Sequence, residues 1–389
     1  MNLRHNLVIP TAYLTIGMCG VYPGMYQISS LQISQSFQIN TLMMGVLIGV
    51  FYAGVCIPPL LLGSLSEKLG KRGVLIISLP LMILGTFFVS IAGNIALFLI
   101  SVFIIGAGFS VTEATMSAVL SAEFPGRSKL HLGMSQAFFS LGAVGAPFAS
   151  EALFAAGQTY KDLFLYVSIL FAVMLVLFLF SRQQKDTKGS SHAGFKAAVS
   201  LFSNKSFFFF AVAMFLCVGI EEIVAFFTDS YFELTLRSPE FSALALGLFW
   251  VCMIPPRLLL GTFKQPHKTI VLICAAGTAA CSVAIILFPD ITTKLIMFGL
   301  LGFFCGPTWP LIMDLTAKRY PKNVGLSINV MMSVSGFGGL LTPIFVGALI
   351  VGANFVPVFI VAAACAGGIA IAFIIASRKP HNKTLENGS

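Results

Sequence analysis

The chain has 389 residues and a formal net charge of +9; 57% of it is hydrophobic and only 10% is charged. Soluble domains carry about a quarter charged residues, so this composition excludes one and places the chain in lipid. A cation excess can serve nucleic-acid binding, but here the placement of the cations excludes that as well.

Twelve apolar stretches of about 18 residues or more follow one another, each able to cross a hydrocarbon core of roughly 30 Å as a helix. They cover residues 6–28, 40–63, 73–93, 96–121, 130–156, 162–181, 206–232, 241–262, 268–288, 292–315, 324–350 and 354–377. The first run follows Arg4 but is too long for a signal peptide and has no small-residue cleavage site, so it is read as span one. With these spans, all of the 23 lysines and arginines except Lys161, Arg237 and Lys294 fall on one side, a division of 20 to 3. The positive-inside rule makes the rich side cytoplasmic, with both termini and the central loop on it. The expectation is an integral protein of a plasma membrane, the inner one in a bacterium, acting as a monomer among lipid.

The domain organisation predicted is a six-helix bundle over 1–181, a cytoplasmic linker over 182–205, and a second six-helix bundle with a cytoplasmic tail over 206–389. An internal repeat supports it. Ile57, Pro58 and Pro59 return as Ile254, Pro255 and Pro256; Phe124, Pro125, Gly142 and Pro147 return as Tyr320, Pro321, Gly338 and Pro343. Two copies of one membrane unit point to a transporter with its site between them.

In chain order, span one offers Tyr22, Tyr26 and Gln27 as polar groups for a solute. After span two, Gly63-Ser64-Leu65-Ser66-Glu67-Lys68-Leu69-Gly70-Lys71-Arg72 combines glycines for close packing and a turn with an acid and bases for an ionic latch. Span four carries Glu113 and span five Gln136, whose amide both donates to and accepts from hydroxyls. The segment Phe195 to Phe202 reads as an amphipathic helix on the inner membrane surface.

Span seven carries Glu221 and Glu222, about 100° apart on a helix, so that one of the two faces the centre. Charges at the bilayer centre cost on the order of 3 kcal/mol, so Glu113, Glu221 and Glu222 are expected to face a cavity or a partner. Leaving water favours the protonated form of a carboxyl, which makes each a candidate proton carrier. Span eight adds Trp250 and then Arg257, one turn before Gly261, where it can snorkel or pair with an acid at the cytoplasmic end. Span ten adds Trp309 and Asp314, and span eleven Asn329. The eight cysteines lie within spans without Cys-x-x-Cys spacing and are read as packing residues. There is no Walker-type glycine loop, metal-ligand cluster or nucleophile and base pair, so no enzymatic activity, cofactor or metal is expected.

The Gly63 to Arg72 block resembles the cytoplasmic signature of the major facilitator superfamily, with Glu67 where aspartate is usual. Further blocks resemble its fucose permease-like sugar:proton symporter branch: Gly219-Ile220-Glu221 with Phe227 and Tyr231; Phe249-Trp250; Arg257-Leu258-Leu259-Leu260-Gly261; Gly306-Pro307-Thr308-Trp309-Pro310; and Leu132 with Gln136 and Phe138. The resemblance implies two pseudo-symmetric six-helix bundles that rock around a central site, and it favours Glu221 as the central acid. Two positions depart from it: Gly20 stands where span one often has aspartate, and Thr112 where span four has its carboxylate, with Glu113 one residue later.

The function expected is proton-coupled uptake of a small neutral polar solute such as a sugar. Glu221, Glu113 and Glu222 would handle protons, and Gln136, Tyr22, Tyr26, Gln27, Trp250, Trp309 and Asn329 the solute. Gly63, Glu67, Gly70, Lys71, Arg72, Arg257 and Asp314 would serve structure and gating. Three alternatives stand beside it: a proton-coupled exporter of drugs or metabolites, an organic anion carrier centred on Arg257, and a non-transporting receptor. Gly145-Ala146-Pro147-Phe148 is a poor match to an antiporter motif, and no signalling domain is evident.

Overall fold

The computed structural model describes residues 7–123, 128–181, 195–259, 267–320 and 324–376. Most of the predicted linker, the tail after residue 376, Phe124, Pro125, Pro321 and Gly261 lie outside the described residues, as do the side chains of Gly63, Glu67 and Asn329. The protein is an all-helical membrane protein. Its first half comprises α1 (Val8–Ile28), α2 (Ser30–Phe37), α3 (Thr41–Ser90), α4 (Ile95–Glu123), α5 (Ser128–Ala155) and α6 (Tyr160–Phe180). After α7 (Phe195–Leu201), where the amphipathic segment was expected, the second half begins with α8 (Lys205–Ser230), which runs on as a π turn through Thr235. Then follow α9 (Ser242–Cys252), α10 (Ile254–Leu259), α11 (His267–Leu287), α12 (Ile291–Cys305), α13 (Thr308–Arg319), α14 (Val324–Leu349) and α15 (Pro357–Ala376).

All twelve predicted stretches fall on helices. Spans two and three are the two arms of α3, which turns at Gly70 with φ 67° and ψ 167°, the predicted glycine turn of the basic loop. Ten described helices are long and apolar enough to cross a membrane, or eleven if Ser30–Phe37 and Thr41–Ile57, bent by 119°, form one span. The remaining predicted span, α1, is 21 residues long but more polar, with its tyrosines, threonines and Gln27. Fourteen of those residues are buried, so protein rather than lipid surrounds it and lower hydropathy suffices.

Lipid tails are as apolar as leucine, so helices in a bilayer associate through backbone proximity at small residues. A Cβ on Gly142 would strike the Gly17 carbonyl oxygen, and one on Gly338 the Phe215 carbonyl oxygen. Likewise Gly106 rests on the Phe51 carbonyl and Gly302 on that of Phe249. The glycines are displaced by 196 (338 − 142 and 302 − 106) and the carbonyls by 198 (215 − 17 and 249 − 51), so the repeat reproduces contacts as well as residues. Gly20 lies equally close to the Phe139 carbonyl. No carboxylate side chain fits there, which accounts for the departure in span one.

The halves meet at the end away from the basic loops. Gly45 and Gly49 of α3 lie against Pro343 and Ile344 of α14, and Gly336 against Cys56. Thr41 Oγ1 donates to the Ile350 carbonyl at 3.2 Å and Ser30 Oγ to the Phe226 carbonyl at 3.0 Å. Phe148 of α5 fills the space over Gly247 of α9.

Gly20→Ala forces backbone apart and should cost about 1–3 kcal/mol, whereas Gly145→Ala, with nothing within 4 Å of the new methyl, should be neutral. Thermal unfolding of the purified variants in detergent distinguishes them; equal melting temperatures would contradict the backbone-contact account.

Candidate functional site

The adjacent acids of α8 are sent to different partners by the helical turn between them. Glu221 pairs with Arg257, Oε1 to Nη2 at 3.2 Å, with the two side chains 13% and 20% exposed. Arg257 Nε also donates to the Gly306 carbonyl at 3.0 Å. Helix breaks create this geometry. Span eight is interrupted at Met253, between α9 and α10, and span ten at Gly306-Pro307, between α12 and α13. Pro310 has no N–H to offer the carbonyl four residues back, which is Gly306, and the guanidinium takes that carbonyl instead. Arg257 therefore turns inward to a mid-span acid rather than snorkelling or pairing at the basic end.

Glu222 is 5% exposed and lies among neutral groups of the other half: Tyr52 of α3 and Gln27 of α1 both reach its carboxyl. Tyr52 also lies within the fields of Glu221 and Glu113, and its ring covers Gly339 of α14. Gln27 Oε1 accepts a hydrogen bond from Trp250 Nε1 at 3.1 Å. Two polar contacts thus cross between the halves, Tyr52 with Glu222 and Gln27 with Trp250. Tyr52 is absent from the sequence-based candidates. The available signal was a lone phenol between Gly49 and Gly54 of span two.

On α4, Thr112 donates to Ser78 Oγ at 2.8 Å and ties α4 to the second arm of α3. Glu113, one residue on, faces elsewhere and accepts from Gln136 Nε2 of α5 at 3.5 Å, a long and weak contact. The two candidates of spans four and five therefore come together, and both are half-buried.

Tyr22 and Tyr26 stack one turn apart on α1, ring centroids 5.7 Å apart, within a cage of Phe51, Phe98, Phe164 and Phe226. Both are fully buried, and neither hydroxyl has a hydrogen-bond partner, while Gln27 Nε2 is turned to the Glu222 carboxyl. Unmade hydrogen bonds of this kind cost about 1–3 kcal/mol each, so the two phenols are groups that a polar molecule could satisfy.

The remaining candidates lie apart from this centre. Trp309 packs half-buried on the apolar core at the start of α13. Asp314 pairs with Lys318 one turn on, at the basic end. Arg72 donates to the Ser181 and Leu179 carbonyls at 2.9 and 3.1 Å, closing the C-terminal end of α6, and lies over the Phe178 ring. Lys71 is half-buried beside it in sequence. The expected latch to Glu67 lies outside the described side chains.

The family model of the Major Facilitator Superfamily matches residues 13–298 and 264–389. The L-fucose-proton symporter of Escherichia coli (strain K12) is 25% identical over 356 residues, 80% of each chain. Among solved structures, a nucleoside transporter superimposes with a TM-score of 0.79 at 15% identity, over 96% of this chain and 100% of that one. A structure of the E. coli fucose:proton symporter gives 0.66 at 21%, over 96% and 100%.

Removing one member of the half-buried pair should be more costly than removing both. Arg257→Met is expected to lower stability by about 3 kcal/mol, and Glu221→Gln/Arg257→Met to recover most of that loss. A double-variant cycle of melting temperatures checks it; additive losses would show that the two charges do not depend on each other.

Proposed function

The chain belongs to the major facilitator superfamily and is a secondary transporter; from that premise we propose that it takes up a small neutral polar solute, such as a sugar, together with protons. The observation that carries the reading is the pair of buried, unpartnered hydroxyls, Tyr22 Oη and Tyr26 Oη, next to Gln27. Hydroxyl groups of a solute can satisfy both, and the surrounding aromatic rings suit the apolar faces of a sugar ring.

The site also couples occupancy to the frame. A solute hydroxyl that takes Gln27 Oε1 competes with Trp250 Nε1, and so breaks a contact that joins the halves. Glu222 is the proton carrier in this reading, because its hydrogen-bond partners at the junction are neutral and the charge acting on it is the like one of Glu221. Glu221 already has its charge balanced by Arg257. That pairing also speaks against an organic anion held by Arg257. Glu113 with Gln136 serves as the second acid, on the first half. If the basic loops face the cytoplasm of a bacterium, as the positive-inside rule has it, the form described is closed outward. The fucose:proton symporter relative favours uptake over export.

Proteoliposomes with an inward proton gradient test the reading against a panel of labelled monosaccharides and nucleosides. A transported solute should raise the melting temperature of the purified protein and acidify the lumen as it enters. Glu222→Gln should still bind solute but lose accumulation about tenfold or more. Tyr22→Phe and Tyr26→Phe should each weaken affinity about three- to tenfold, the worth of one hydrogen bond. Undiminished uphill transport by Glu222→Gln would remove the proton role.

A further inference from the structure

At the end away from the basic loops, a cavity of about 300 Å³ lies between the halves. The first half lines it with Ile28, Gln32, Gln35, Glu151 and Phe154, the second with Asp229, Glu233, Pro239 and Ser242. Three carboxylates thus share one small space, with no lysine, arginine or histidine in its walls. Asp229 is 9% exposed. The groups acting on it are the Leu31 N–H of α2, the Ser242 hydroxyl of α9, and the two like charges of Glu233 and Glu151. Gln32 is held by the Tyr160 amide, which donates to its Oε1 at 2.6 Å. Ser242 is 3% exposed and turns its hydroxyl to Asp229, a neutral polar group among the acids.

The disposition of the acids between the halves decides what this cavity can hold. Glu151 comes from α5, and Asp229 and Glu233 from α8 and its π turn. Closing this end therefore drives a carboxylate of one half toward two of the other, in surroundings where charges interact strongly. Opening separates and hydrates them. Whatever cancels the negative charge favours the closed form, by its preference for that form alone. A directly bound metal ion is not supported: the described residues hold no group of three or more acids, histidines or cysteines placed to ligate one.

We propose that this cavity is a proton-binding vestibule, and that protons held among Glu151, Asp229 and Glu233 keep the two halves closed at this end. The proposal rests on the rocking of the halves but not on the identity of the solute. Protons arriving from this side would close the door behind a solute that has entered with them.

The test reads distance rather than flux, so a failed transport assay and a failed vestibule remain distinguishable. Nitroxide labels are placed on Ala156→Cys and Ala353→Cys, exposed positions on opposite halves at this end, the eight native thiols being buried or half-buried. Lowering the pH from about 8 to about 5 should raise the short-distance population several-fold. Asp229→Asn should keep that population high at both pH values, and Glu151→Gln should remove at least half of the response. Asp229→Glu, which still titrates, should retain it. A pH-independent distribution overturns the proposal, as does a full pH response in both neutral variants. Potassium chloride reproducing the effect at pH 8 overturns it too, since screening alone would then suffice. If Asp229→Asn does not fold, Glu151→Gln carries the test.

Discussion

Backbone against backbone is the contact on which the rest of this molecule depends. In a bilayer, apolar side chains gain nothing by leaving lipid for one another, so helices hold together where small residues let them approach. Gly142 on Gly17 and Gly20 on Phe139 fix α1 to α5, and that fixes the direction in which Tyr22, Tyr26 and Gln27 point. In the second half, Gly338 on Phe215 and Gly302 on Phe249 hold α14 to α8 and α12 to α9. They set the position from which Glu221, Glu222 and Trp250 reach the centre. The chemistry at the centre is held by side chains, and the side chains are held by glycines.

On that frame the charges are distributed unequally. Glu221 has Arg257, Glu113 has the Gln136 amide, and Glu222 has a phenol and an amide from the other half. An ion pair within one half adds rigidity to that half. A carboxyl whose partners all lie across the junction registers whether the junction is made. The two adjacent residues therefore do different work, although composition and position along the chain make them look equivalent.

Much of the frame was legible in the sequence, because each signal was local. Apolar runs gave the spans, Gly70 gave the turn within α3, and the offset of 196 gave paired contacts. Glu113 and Gln136 could be named as polar groups in apolar surroundings, and they do meet. What could not be read was partnership. The pairing of Glu221 with Arg257 follows from breaks at Met253 and Gly306 that re-aim a side chain across three helices. Tyr52 matters because of three acids on other helices, none within 60 residues of it in the chain. The polarity of α1 became explicable only once its burial was seen.

The interruptions at Met253 and Gly306 have a mechanical meaning of their own. In the first half, the helices in the corresponding places, the first arm of α3 and the whole of α4, run without a break. An unbroken helix resists bending along its length, while one cut into two segments yields at the cut. The duplicated halves are thus unequal in compliance: one acts as a stiff lever, and the other contains two joints, spanned by the single guanidinium of Arg257.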